Sequence, residues 1–143
     1  MLGVIIAIIS GALMSIQGVF NTNFTKQTNV WFANCFIQLS AFLMCLVIWF
    51  ATKSSGSIAM IQNVKDKYIL LGGIIGTFIT FTVIKSMTDL GPAKAVMIIV
   101  VSQILVAYLI EIFGLFGVEK GVFEVKKLFG IVLAIAGIVL FKW

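Results

Sequence analysis

Residues 90–117 read LGPAKAVMIIVVSQILVAYLIEIFGLFG, and this stretch decides the fold. Between positions 95 and 116 its only polar side chains are Ser102, Gln103, Glu111 and the phenol of Tyr108. A helix needs roughly 20 apolar residues to cross the hydrocarbon core of a bilayer. Gly91-Pro92 opens the run, and proline suits a first helical turn because its missing N–H is not needed there. A membrane-spanning β-strand alternates apolar and polar residues over ~10 positions. The apolar run here is unbroken over about twice that length, so a barrel is rejected. The stretch is a membrane-crossing helix over residues 92–116.

Working outward, the same pattern recurs at 2–24, 30–51, 68–88 and 125–142. The first run lacks a basic start and a small-residue cleavage site, and further runs follow, so it is expected to be a retained helix and not a signal peptide. Trp31 and Trp49 lie near the ends of the second run, as in an aromatic belt. The fifth run has a short apolar core, 128–141. Snorkelling of Lys126, Lys127 and Lys142, with Trp143 at the interface, makes up the length. Polar linkers occupy 52–67 and 117–127. The expected fold is an all-α integral membrane protein, a single domain over 1–143 with five transmembrane helices.

Composition agrees. Hydrophobic residues make up 62% of the 143 positions and charged residues 10%. A soluble domain carries roughly 25% charged residues, so a water-facing surface is not available. Mean hydropathy is +1.20. The net charge of +5 comes from ten lysines, with no arginine. They lie mostly at run ends, unlike the clustered basic face of a nucleic-acid binder. Cys35 and Cys45 share one apolar run, and the chain has no histidine. No disulfide, metal site, cofactor or catalytic constellation is read, so an enzyme is not expected.

An odd number of spans puts the termini on opposite sides. Lys53, Lys65, Lys67, Lys120, Lys126 and Lys127 lie on the amino-terminal side, and Lys26, Lys85, Lys94 and Lys142 on the other. That small bias favours a cytoplasmic amino terminus and permits insertion in both orientations. Lipid gives helices no hydrophobic drive to associate, so small residues that let backbones approach take over. Gly3, Ala7, Gly11 and Ser15 form one such stripe. Gly72, Gly76 and Thr80, beside Gly73 and Thr77, form a second, and Gly130, Ala134 and Gly137 a third.

Polar side chains inside apolar helices are costly and face the bundle interior or a wet cavity. Gln17 and Asn21 are one turn apart, as are Asn34 and Gln38. The Asn34 pair is read as structural. For Gln17, Asn21 and Gln103, interhelical bonding and substrate contact stay open. Glu111 is the one acid well inside a run, about 10 Å past the middle of the fourth at ~1.5 Å per residue. Tyr108 precedes it on the same face. A carboxyl group out of water favours its neutral form, so it can exchange a proton or pair with a cation. The bland reading is that Glu111 snorkels to an interface or glues helices together.

Four segments together resemble the YdcZ family, a five-helix branch of the drug/metabolite transporter superfamily. They are GALMSIQGVFNTNF with Gly11, Gln17 and Asn21; LLGGIIGTF; residues 90–117 with Gln103, Glu111, Gly114 and Gly117; and KKLFGIVLAIAGIVL. They cover nearly the whole chain in order. The family's acid is more often aspartate, so Glu111 keeps the charge with a longer reach, and Pro92 after Gly91 is atypical. The resemblance implies a half-transporter, since larger relatives look like two five-helix halves of opposite orientation. It implies a partner, either an antiparallel copy in a homodimer or a paralogous five-helix subunit.

The leading expectation is a secondary transporter of a small solute in the cytoplasmic membrane, working by alternating access. Glu111, Gln103, Gln17, Asn21 and Tyr108 are its candidate substrate-binding or coupling residues. Its partners are membrane lipids, a small-molecule substrate and the second subunit, with no nucleic acid. The alternatives are a non-transporting scaffold or accessory subunit, and an uncoupled channel.

Overall fold

The computed structural model describes residues 1–53, 56, 61, 63–64 and 66–142, with the side chain of Lys142 left out. The membrane side expected of Lys65, the anchoring roles expected of the Lys142 side chain and Trp143, and much of the polar linker 52–67 lie outside the described residues. Among the described residues there are five α-helices: α1 (Leu2–Gln27), α2 (Val30–Ala51), α3 (Gly72–Leu90), α4 (Pro92–Phe113) and α5 (Val125–Lys142). Short 3-10 turns sit at Lys67–Leu71 and Leu115–Gly117. There is no strand among the described residues. This is the all-α integral membrane architecture read from the sequence. Among the described residues, four helical segments are long and apolar enough to cross a membrane: Leu2–Gln27, Val30–Ala51, Lys67–Leu90 and Pro92–Phe113. The fifth helix has 18 residues. At ~1.5 Å per residue that is about 27 Å, slightly under the hydrocarbon thickness of ~30 Å.

Helix is the economical answer for such sequence because it satisfies backbone groups within the segment, where lipid offers no partners. Hydroxyls follow the same rule by turning back on their own helix. Thr22 donates to the Gly18 carbonyl at 2.8 Å, Thr77 to Gly73 at 3.2 Å and Thr80 to Gly76 at 3.0 Å. Helix ends are equally local. Asn29 caps α2 by accepting from the Trp31 N–H at 2.9 Å. Gly91 (φ 80°) turns the chain into Pro92 at the start of α4.

The chain divides into two compact units, residues 1–88 and 89–143. In the first, α1 meets α2 through Phe24, whose ring lies edge-on to Phe36 at 5.5 Å. Trp31 of α2 stacks on Phe81 of α3 at 4.8 Å and 7°. Asn34 is buried and donates from Nδ2 to the Thr77 carbonyl at 3.0 Å. This is a cross-helix link, the structural role read for Asn34. The α1–α3 contact turns on Gly18: a Cβ there meets Met87 Cε and lies 2.7 Å from Met87 Sδ. Ala33, Ile84 and Met87 complete this small core.

In the second unit α4 packs on α5, and Ala95, Tyr108 and Ile131 are its buried residues. Helix α4 stops at Phe113, because Gly114 takes the left-handed conformation (φ 62°, ψ 40°) and returns its N–H to the carbonyls of Ile110 and Glu111. The helix expected to reach position 116 therefore ends three residues earlier. Apolar composition continues through Leu115 and Phe116, but the backbone does not. Outside these contacts the large apolar side chains face outward, Phe50 at 71% and Leu133 at 73% exposure among them. Lipid is the solvent that such a surface requires.

Candidate functional site

The early stop of α4 reshapes the surroundings of Glu111. The residue sits in the last helical turn, and the loop after Gly114 folds back onto it. The Gly121 N–H donates to the Glu111 carbonyl at 2.8 Å. A Cβ on Gly121 would lie 2.8 Å from Glu111 Cγ, so the close approach requires glycine there. Three residues on, the Glu124 N–H donates to the Tyr108 hydroxyl at 2.9 Å, and that hydroxyl donates to the Glu124 carbonyl at 3.1 Å. Tyr108 thus clamps the chain where it enters α5.

The clamp places Lys127, in the first turn of α5, over α4. Lys127 Nζ donates to Glu111 Oε1 at 3.0 Å and lies 3.5 Å from Glu124 Oε1. The same ammonium is 5.6 Å from the centre of the Tyr108 ring. The Glu111–Lys127 pair is half-exposed, with side chains 45% and 40% accessible. Beside it runs an open groove of about 420 Å³, walled by Ile104, Ala107, Tyr108, Glu111, Lys127, Gly130 and Ile131.

The structure therefore brings Tyr108 and Glu111 together and adds Lys127, Glu124 and Gly121, which the sequence reading had not joined to them. Gln103 is exposed on α4 and does not line this groove. Gln17 and Asn21 belong to the other unit. They share a face of α1 and line an open groove of about 480 Å³ between α1 and α2, opposite Phe36, Ile37 and Ser40. Two polar patches result, one in each unit. The second was partly legible: Gly114, Gly117 and Gly121 space the loop for a fold-back, and Lys127 lies 16 residues after Glu111. Neither cue by itself joins the two charges. Among the described residues no cluster of His, Cys, Asp and Glu is suited to a metal ion. Both cysteines are free.

Lipid-facing helices, two of them joined by a charged pair at the rim of an apolar groove, are the build of an integral membrane protein. Residues 2–140 match the profile of a family described as "Putative inner membrane exporter, YdcZ". The match covers nearly the whole chain, and the chain belongs to the YdcZ family. That family is one of membrane transporters, not of enzymes, and its description places it in the inner membrane. No curated protein and no solved structure matches the chain.

Proposed function

We propose that the chain is one half of a secondary transporter that moves a small solute across the cytoplasmic membrane by alternating access. One observation carries the reading. Glu111 is the one acid of a largely apolar membrane helix and lies at its end, its carboxylate opens on a groove, and a half-exposed ion pair holds it. Ionisable groups in such helices are expensive and are retained along substrate or proton paths. Gln17 and Asn21 supply the polar wall of the other groove, and Gln103 a further amide on α4.

A second subunit completes the transporter in this reading. Substrate sites built from inverted repeats lie between halves, and one five-helix chain is a single half. Small residues left open support this. Within their own units, Gly3, Gly11, Gly72, Gly73, Gly130 and Gly137 meet nothing within 4 Å of an added Cβ. They are free to pack against another chain. An antiparallel copy is the first choice of partner, in keeping with the small lysine bias, and a paralogous five-helix subunit is the alternative.

The ion pair also favours a second reading, in which Glu111 and Lys127 only fasten α5 to α4 in a non-transporting subunit. Flux through proteoliposomes under an imposed proton gradient separates the two. Transport by the wild type, with loss of ten-fold or more in Glu111→Gln at unchanged thermal stability, supports the first. Unaltered flux in Glu111→Gln removes Glu111 from the mechanism. Lost stability with no flux in either protein supports the second.

A further inference from the structure

We propose that the groove beside Glu111 binds an organic ammonium ion on an apolar stem, and that Lys127 is a tethered occupant which the ligand displaces. This rests on the groove being the transport site and names its substrate class. Lys127 already shows what the site accepts: its ammonium donates to Glu111 Oε1 at 3.0 Å, lies 3.5 Å from Glu124 Oε1 and 5.6 Å from the Tyr108 ring centre. Carboxylate oxygens and an aromatic face are the groups that recognise an ammonium.

Charge balance points the same way. Two carboxylates face one ammonium, so this trio keeps a net negative charge while Lys127 is bound and gains another on its departure. The remaining wall, Ile104, Ala107, Gly130 and Ile131, is apolar and suits a hydrocarbon stem. The volume of about 420 Å³ falls within the ordinary range for small-molecule pockets, roughly 300–1,000 Å³. Lys127 has a way out because the pair is half-exposed and Glu111 lies in the last turn of α4. The freed lysine reaches water on its flexible stem. Binding is then an exchange of one ammonium for another at the same carboxylate, and the displaced Lys127 ammonium is hydrated instead.

The test is calorimetric titration of the full chain in detergent with benzylammonium, and with benzyl alcohol as the neutral match. Lys127→Met removes the internal competitor and keeps the stem, so it should bind benzylammonium at least ten-fold more tightly than wild type. Lys127→Gln should do the same if Lys127→Met does not fold. Lys127→Arg, which keeps a cation on Glu111, should bind no more tightly than wild type. Adding Glu111→Gln to Lys127→Met should abolish the gain. Equal affinities for wild type, Lys127→Met and Lys127→Gln overturn the proposal, as does benzyl alcohol binding as tightly as the amine. An amine of a lipid headgroup has the same chemistry. Maltoside micelles, which carry no amine, with and without added phosphatidylethanolamine separate the sources: weaker benzylammonium binding with the ethanolamine lipid identifies the headgroup as an occupant, and unchanged binding identifies a free amine. The readout is binding, so its failure is distinct from absence of flux.

Discussion

Tyr108→Phe removes one oxygen and leaves the ring in place. That oxygen makes two hydrogen bonds to the backbone of Glu124, at 2.9 and 3.1 Å. A typical intramolecular hydrogen bond contributes about 0.5–1.5 kcal/mol net, so losing both costs about 1–3 kcal/mol. Glu124 is exposed, and water can take over its amide and carbonyl, which favours the lower half of that range. Tyr108 is 8% exposed and its ring lies 6.4 Å from Phe123, and Phe preserves this packing. Denaturant titration in mild detergent, followed by circular dichroism, reads the loss. Hydrogen exchange supplies the local readout: the Glu124 amide should lose protection in Tyr108→Phe while amides in the middle of α4 keep theirs. A stability change under about 0.5 kcal/mol with unchanged exchange at Glu124 would refute the clamp. The positioning of Lys127 over Glu111 would then need another cause.

Two further substitutions test the packing. Gly114→Ala places a Cβ at a left-handed residue and 3.2 Å from Lys120 Cβ; it should cost about 1–2 kcal/mol by the same titration, with Gly114→Asn milder because asparagine visits that conformation. Gly18→Leu pushes into the end of Met87 and should destabilise the first unit by about 1–3 kcal/mol, with part of the loss recovered in the Gly18→Leu/Met87→Ala double variant.

Much of the fold was legible because membrane helices are written as long apolar runs. The run at 30–51 coincides with α2, since Asn29 caps one end and the polar stretch beginning at Thr52 follows the other. The end of α4 was not legible from hydropathy. Leu115 and Phe116 are as apolar as the helix before them, and only the backbone of Gly114 marks the stop. That error moved Glu111 from the interior of a longer helix to its last turn. Its pairing with Lys127 was hidden for a related reason. Helical periodicity describes neighbours within one helix, whereas this contact arises from a loop folding back through Gly121. The sequence reading placed Lys127 at the lipid interface on the grounds that cations sit there, a rule blind to specific partners. Tyr108 and Asn34 illustrate the same divide. Both were recognisable as polar groups in apolar surroundings, but only coordinates show that their partners are the backbones of Glu124 and Thr77.

The account depends on lipid covering the outer helix faces while water reaches the groove beside Glu111. Single cysteines, introduced after replacing Cys35 and Cys45, measure this in native membranes with a membrane-impermeant thiol reagent. Ala107→Cys lines the groove and should label quickly; Leu133→Cys, on the outward face of α5, should stay unlabelled until detergent is added. Equal labelling at the two positions, or protection of Ala107→Cys with labelling of Leu133→Cys, would contradict the account.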